Sequence, residues 1–221
     1  CLASLRASEP ELDLHPIVVE TGGDDIRYPC EMVYPQPEPL NYNRYLNVGR
    51  VRCRGEFVAC CNNDLLFEPG WLTSHLQAFS QQPAIGCLSS RDPRDTTLPR
   101  VLTGLADGYQ VNREVFQWCM VFRSIALQLL VPFDEQFAFY GADDAICWQL
   151  QRHGIRHCLN ADSHVVHLGS RSHGLLAPPT RAAMTYQQGQ AIEHQARIER
   201  ERLLQAGTML PGSFVGAAGV P

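Results

Sequence analysis

The sequence predicts an α/β layered fold, with a mainly parallel central sheet flanked by helices. Three observations predict it. Short apolar or β-branched runs alternate with stretches of helical spacing. The run FVACCN, 57–62, opens with five apolar residues, as do strands covered on both faces. Polar groups gather just after the runs, where open α/β sheets bind ligands.

The elements follow in order. PIVVE, 16–20, is a strand ending in the turn TGGDD. Residues 26–40 are rich in Pro and Tyr and read as irregular. NYNRYLNVGRVRCR, 41–54, has helical spacing: Tyr45, Leu46, Val48 and Val51 can share one face, and Gly55 stops the helix. After FVACCN, Pro69 suits the first turn of a helix over 69–81. IGCLSS is a strand. Residues 90–112 are polar, with turn formers and no clear element. WCMVF, 118–122, is a strand and SIALQLL a short helix. FDEQFAFYGADD leads into a helix over 143–153, which Gly154 closes. IRHCL and SHVVHL are two short strands. Residues 180–206 predict a long, mostly polar helix, and the Gly- and Pro-rich stretch 207–221 a loose tail. No repeat is seen. Residues 1–206 thus read as a single domain, with a first half to 90, a second half over 91–175 and a terminal helix within 176–206.

The 221 residues are 45% hydrophobic and 19% charged, the composition of an ordinary globular chain. A net charge of −5 and a pI near 5.9 argue against nucleic acid as the main partner, because phosphate binding needs a basic surface. No apolar run approaches the roughly 20 residues that span a bilayer. The nine cysteines form no C-x-x-C pair, which disfavours a zinc ribbon. Most sit in apolar stretches, and their odd count without framework spacing points to a reducing compartment, the cytoplasm. The opening CLASLRAS has the pattern of an amphipathic helix's end, so a further segment is expected ahead of it.

Four stretches place polar groups where a ligand site would lie: TGGDD, NND and HLGS follow strands, and GADD precedes a helix. Asp64 is either an N-cap or turn residue or a hard oxygen ligand for Mg²⁺ or Mn²⁺. His167 ends an apolar run and is either structural or a nitrogen donor to the same ion; His157, His164 and His173 compete for that role. Asp143 and Asp144 open a helix, where carboxylates favour the positive helix end; either also suits a general base. Glu20 is otherwise the exposed end of a strand. Trp118 and Trp148 flank the same region, as core or as ligand platforms.

Taken in order, CLASL, IVVETGGDD, NVGRVRCRGEFVACCNNDLLFEPGWL, WCMVFRSIALQLLVPFDEQFAFYGADDAICWQLQRHG and SHVVHLGS resemble the family 2 glycosyltransferases of GT-A (Rossmann-like) fold, nearest their bacterial rhamnosyltransferase-like branch. The likeness covers about residues 1–170. It implies an inverting, metal-dependent transfer of a sugar from a nucleotide-diphosphate sugar, UDP- or dTDP-linked, to a hydroxyl of a glycan or lipid-linked acceptor, as in cell-surface polysaccharide synthesis. Asp64 matches the last carboxylate of the family's D-x-D motif, and Asn62 stands where its first Asp often lies, with Asn63 between them. Glu20 and Asp25 match acids that contact the nucleotide. His167 matches a histidine that helps hold the metal (Mn²⁺ or Mg²⁺) and diphosphate. Asp143 or Asp144 matches the catalytic base, and Ala142 or Ile146 then replaces an acid common in the family. The first half would bind the nucleotide and the second shape the acceptor site.

Family members begin with a strand ahead of the CLASL helix; the resemblance therefore implies either that such a segment precedes this sequence or that something else fills its place. This keeps a second expectation open, a non-catalytic relative that binds sugar nucleotides or glycans. A nucleotidyltransferase would carry a basic Gly-rich loop near its start, whereas TGGDD is acidic. The implied location is the cytoplasm, at the inner face of the membrane if the acceptor is lipid-linked. The helix over 180–206 mixes Arg and Glu and is read as a solvated or packing helix, with a homodimer contact or a peripheral membrane contact as alternatives.

Overall fold

The computed structural model describes residues 1–22, 25–35, 40–98, 103–137 and 141–169. Both the expected long helix over 180–206 and the tail lie outside these residues. Helix α1 (Leu2–Ser8) is followed by β1 (Ile17–Val19), β2 (Glu31–Val33) and α2 (Tyr42–Arg50). Then come β3 (Phe57–Cys61), β4 (Leu65–Phe67), α3 (Trp71–Gln81), β5 (Ile85–Arg91) and β6 (Leu105–Asp107). The described chain continues through β7 (Cys119–Arg123), α4 (Ser124–Leu130), α5 (Ala142–Arg152) and β8 (Arg156–His167).

The α/β class holds, but the sheet is mixed. Its strands run β3-β7-β5-β8-β4, with β6 also on β8, and β5–β8 is the parallel pairing in it. β7 lies antiparallel between β3 and β5, and β4 and β6 are antiparallel to β8. The expectation of a mainly parallel sheet rested on all-apolar runs. Such runs report cover on both faces, which β5 has in full and β7 at every residue but Arg123, and not strand direction. β3, the run that prompted it, ends the sheet order and exposes Ala59. β1 and β2 pair in parallel as a separate two-stranded sheet, in which β2 occupies the stretch expected to be irregular. The two expected halves share the main sheet, since β5 crosses their boundary at residue 90.

Strand alternation builds two cores. On β7, Met120 and Phe122 face α4 and α5, with Leu127, Leu130, Ile146 and Leu150. Cys119 and Val121 face the other way, toward Trp71 and Phe79 of α3. Helix α3 begins at Gly70, which has no side chain to cap it. Glu9, just past α1, caps it instead: its carboxylate accepts the Leu72 and Thr73 N–H groups at 2.6 and 2.9 Å and the Thr73 hydroxyl at 2.6 Å. Ser8 Oγ accepts the Trp71 indole N–H at 3.1 Å. These bonds seat α1 on α3.

Two elements differ instructively from expectation. In α2 the buried positions are Asn43 and Asn47, while Val51 of the expected apolar face is 66% exposed. The amides of Asn41, Asn43 and Asn47 donate to the carbonyls of Glu135, Asp134 and Phe133, each at 2.8 Å, and Phe133 N–H returns a bond to Asn47 Oδ1. The irregular backbone before α5 must satisfy its polar groups, and α2 supplies the partners. β8 is one 12-residue strand where two were expected. Its polar middle resembles a break, yet Asn160 bonds His75, and Ser163 and His75 both bond Ser90 inside the core.

Candidate active site

Asp64 lies in the bend between β3 and β4, so the helix-capping alternative fails for it. β4 runs back along the end of β8, with Leu65 opposite His167. Leu168 N–H donates to the Asp64 carbonyl at 2.9 Å. This pairing sets Asp64 Oδ1 3.3 Å from His167 Nε2, with the two side chains 15% and 25% exposed. Trp118 covers the imidazole: the rings stack at 5.3 Å between centroids, 16° from parallel. The Trp118 carbonyl accepts the Asn62 N–H at 2.9 Å, which ties the end of β3 to the start of β7 beside the pair.

The competing histidines are placed elsewhere. His157 is buried between Ser89 Oγ and the Gly108 carbonyl, and burial lowers it to about 4. His164 lies 3.5 Å from Glu68. His173 is outside the described residues. Trp148 packs edge-on against Phe137 in the small core under α5, so only Trp118 of the two tryptophans belongs to the site.

Asp143 and Asp144 occupy the first turn of α5, and the structure separates them. Asp143 Oδ1 accepts the Gln117 backbone N–H at 3.1 Å, one residue before Trp118. Burial pushes its carboxyl up to about 6; the Asp144 charge adds to this, while the Gln117 bond and His167 pull it down. Asp144 is also raised by burial, opposed by a backbone hydrogen bond, without a pull from His167. Gln117 is itself held: Tyr42 OH donates to its carbonyl, and its side-chain amide donates to Asn43 Oδ1, both at 3.3 Å. Ala142 and Ile146, one or the other of which the resemblance would set in the place of an acid, are both buried in the apolar cores.

The remaining sequence candidates divide. Asn62 Oδ1 is buried with no hydrogen-bond partner among the described residues, while Asn63 is exposed. Glu20 follows β1 on the separate sheet, and its carboxylate turns back to accept the Gly22 N–H at 2.6 Å. Asp25 is exposed on the same loop. The structure shows neither acid joined to the Asp64–His167 pair.

Sequence reasoning missed Asp92, Arg94 and Gln117. Asp92 Oδ2 accepts the His167 backbone N–H at 2.9 Å. Burial pushes the Asp92 carboxyl up, but bonds from Arg94 and from His167 outweigh it and hold it below the usual carboxylate range. The signal was Asp-Pro-Arg straight after a buried strand, the pattern of a side-chain-stabilised turn. Gln117 carried none, because it acts here through its backbone.

Among the described residues no three His, Cys, Asp or Glu side chains converge as a metal cage. A full cage is not what Mg²⁺ or Mn²⁺ requires, since one or two protein carboxylates plus phosphate oxygens and water suffice. Two neighbouring ligands of an octahedral ion, each at about 2.1 Å, stand about 3.0 Å apart, close to the Asp64–His167 separation. The Asn62 oxygen, two residues upstream in the chain, is buried without a hydrogen-bond partner among the described residues. The residues present fit such an ion. No protein-family model matches this chain, and no curated protein matches it.

Proposed function

We propose that this chain is an inverting, metal-dependent glycosyltransferase of GT-A type, close to the bacterial rhamnosyltransferase-like branch of family 2. It would transfer a sugar from a UDP- or dTDP-linked donor to a hydroxyl of a glycan or lipid-linked acceptor, in the cytoplasm or at the inner membrane face. No helix among the described residues is long and apolar enough to cross a membrane. The observation that carries the reading is the meeting of Asp64, His167 and Trp118 from three separate strand ends, with Asp143 electrostatically coupled to His167.

Asp64 and His167 hold Mn²⁺ or Mg²⁺ in this reading, and the ion supplies charge neutralisation for the departing nucleoside diphosphate. Asp143 is the base. A carboxyl held near 6 is ionised at neutral pH yet more basic than an ordinary aspartate, which suits removal of a hydroxyl proton. The deprotonating acceptor oxygen attacks the anomeric carbon as the diphosphate oxygen leaves, so configuration inverts in one displacement. Trp118 fixes the imidazole plane. Glu20 and Asp25 would meet the nucleotide.

One observation favours the second reading, a non-catalytic sugar-nucleotide or glycan-binding relative: Glu20 and Asp25 lie on the loop that follows β1, whose sheet is separate from the one beside Asp64. Titration calorimetry of UDP and dTDP, with and without Mn²⁺, tests both. Metal-dependent binding that disappears in Asp64→Ala supports the transferase; binding unchanged by Mn²⁺ removal or by Asp64→Ala overturns it.

A further inference from the structure

The segment after β5, Asp92-Pro93-Arg94, has no part in the mechanism above, yet it grips the backbone of His167 on both sides. Asp92 Oδ2 accepts the His167 N–H at 2.9 Å, and Arg94 Nη2 donates to the His167 carbonyl at 2.5 Å. The two side chains are locked together: Arg94 Nη2 lies 2.8 Å from Asp92 Oδ2 and Nε 3.1 Å from Oδ1, and Asp92 Oδ1 also accepts the Arg94 backbone N–H at 2.8 Å. One ion pair therefore closes on the backbone of one residue.

The sheet explains why such a grip is needed. The parallel ladder pairs Leu88 with Cys158, Ser89 with Leu159 and Ser90 with Asn160, then jumps to Arg91 opposite His164. Three residues of β8, 161–163, have no counterpart in β5. An uninterrupted ladder sets a residue's position by register, and a bulge of this kind breaks that inheritance. β5 itself ends at Arg91. The last residues of β8 are then registered by β4 on one side, through Leu65 and His167. On the other side the Asp92–Arg94 pair takes the place of the missing strand.

We propose that Asp92 and Arg94 are positioning residues for His167, setting where its imidazole stands against Asp64 and Trp118. The consequence for nucleotide binding rests on the transferase reading; the positioning does not. Charge-assisted bonds to both the N–H and the C=O of one residue are strong enough to hold a strand end that lacks a ladder.

The test is the ¹H–¹³C spectrum of the full chain labelled in its histidines, with His167 assigned by its loss in His167→Gln. Stacked on Trp118, the His167 ring protons resonate upfield of free imidazole. Asp92→Ala and Arg94→Ala are expected to move them toward the free position, while His75 and His157, buried in the core, stay put. Asp92→Asn, which keeps an acceptor for the His167 N–H, is expected to recover part of the shift. A His167 signal unmoved in both alanine variants overturns the proposal. If the alanine variants lose the His75 and His157 signals, the chain has unfolded, and Asp92→Asn with Arg94→Lys decides by the same readout. UDP titration with Mn²⁺ on the same samples is expected to show binding weakened about 5- to 20-fold in Asp92→Ala, about the effect of one or two such hydrogen bonds. Absence of UDP and dTDP binding in the unmodified chain would strike the transferase reading alone, because the spectrum still reports the positioning.

Discussion

Trp118 and His167 lie ring on ring, 5.3 Å apart at their centroids and 16° from parallel. They come from positions well apart in the chain, one preceding β7 and the other ending β8. Stacking fixes the plane of the imidazole and leaves its Nε2 edge toward Asp64. A ring contact of this kind is worth about 0.5–1.5 kcal/mol beyond the area it buries. Trp118→Ala is therefore expected to weaken Mn²⁺-dependent nucleotide binding roughly 3- to 10-fold, and Trp118→Phe by less, as measured by calorimetry. Equal affinity in the alanine variant would remove Trp118 from the site.

Asp143 and Asp144 make a paired test of the base. Loss of general-base catalysis costs about 10²- to 10⁴-fold. Asp143→Asn should lower kcat by that factor and leave the nucleotide Kd within about 3-fold. Asp144→Asn should retain most turnover, since it lacks the coupling of Asp143 to His167 and the bond from Gln117. A reversed pattern would reassign the base. With Asp143 near 6, kcat should fall as the pH drops below about 6, because protonation of the carboxyl removes the base.

The same carboxyl predicts a pH-dependent stability change of definite sign. Its pKa is about 6 in the fold against 3.8 when unperturbed, so between those values the folded state binds the extra proton. Stability from this group is complete below about pH 4 and is lost as the pH rises through 6. Asp143→Asn should then be more stable than the parent at pH 7.5, by up to about 3 kcal/mol, with the gap closing near pH 4. Denaturant melts at the two pH values measure it, and a gap that widens toward acid would contradict the buried-carboxyl account.

Glu9 predicts a stability effect remote from the site. It is buried and supplies the cap that Gly70 cannot, with three bonds to the first turn of α3. Glu9→Ala should cost about 2 kcal/mol, a Tm drop of roughly 4–8 °C in thermal melts. Glu9→Gln, which keeps one acceptor oxygen, should cost less. An unchanged Tm would mean that water replaces the carboxylate without loss.

Much of the fold was legible because local chemistry is local. The apolar runs at β3, β5 and β7, the Gly154 stop after α5 and the existence of helix α2 all appear in the sequence and in the structure. Where periodicity misled, a polar group had found a distant partner. Asn43 and Asn47 are the buried face of α2 only because the backbone at 133–135 needs donors there. Asn160 and Ser163 continue β8 only because α3 and β5 meet them with His75 and Ser90.

The sequence by itself determined the α/β class, the placement of Asp64 after an apolar strand, and the acidic pair at the start of a helix. Tertiary structure alone decided that β7 runs antiparallel through the middle of the sheet and that His167, among the histidines considered, meets Asp64. It also decided that Asp143, and not Asp144, accepts the Gln117 N–H and feels His167. Strand order, direction and side-chain encounter depend on contacts between residues far apart in the chain. Propensity and spacing describe only neighbours, so such contacts become visible once the sheet has assembled.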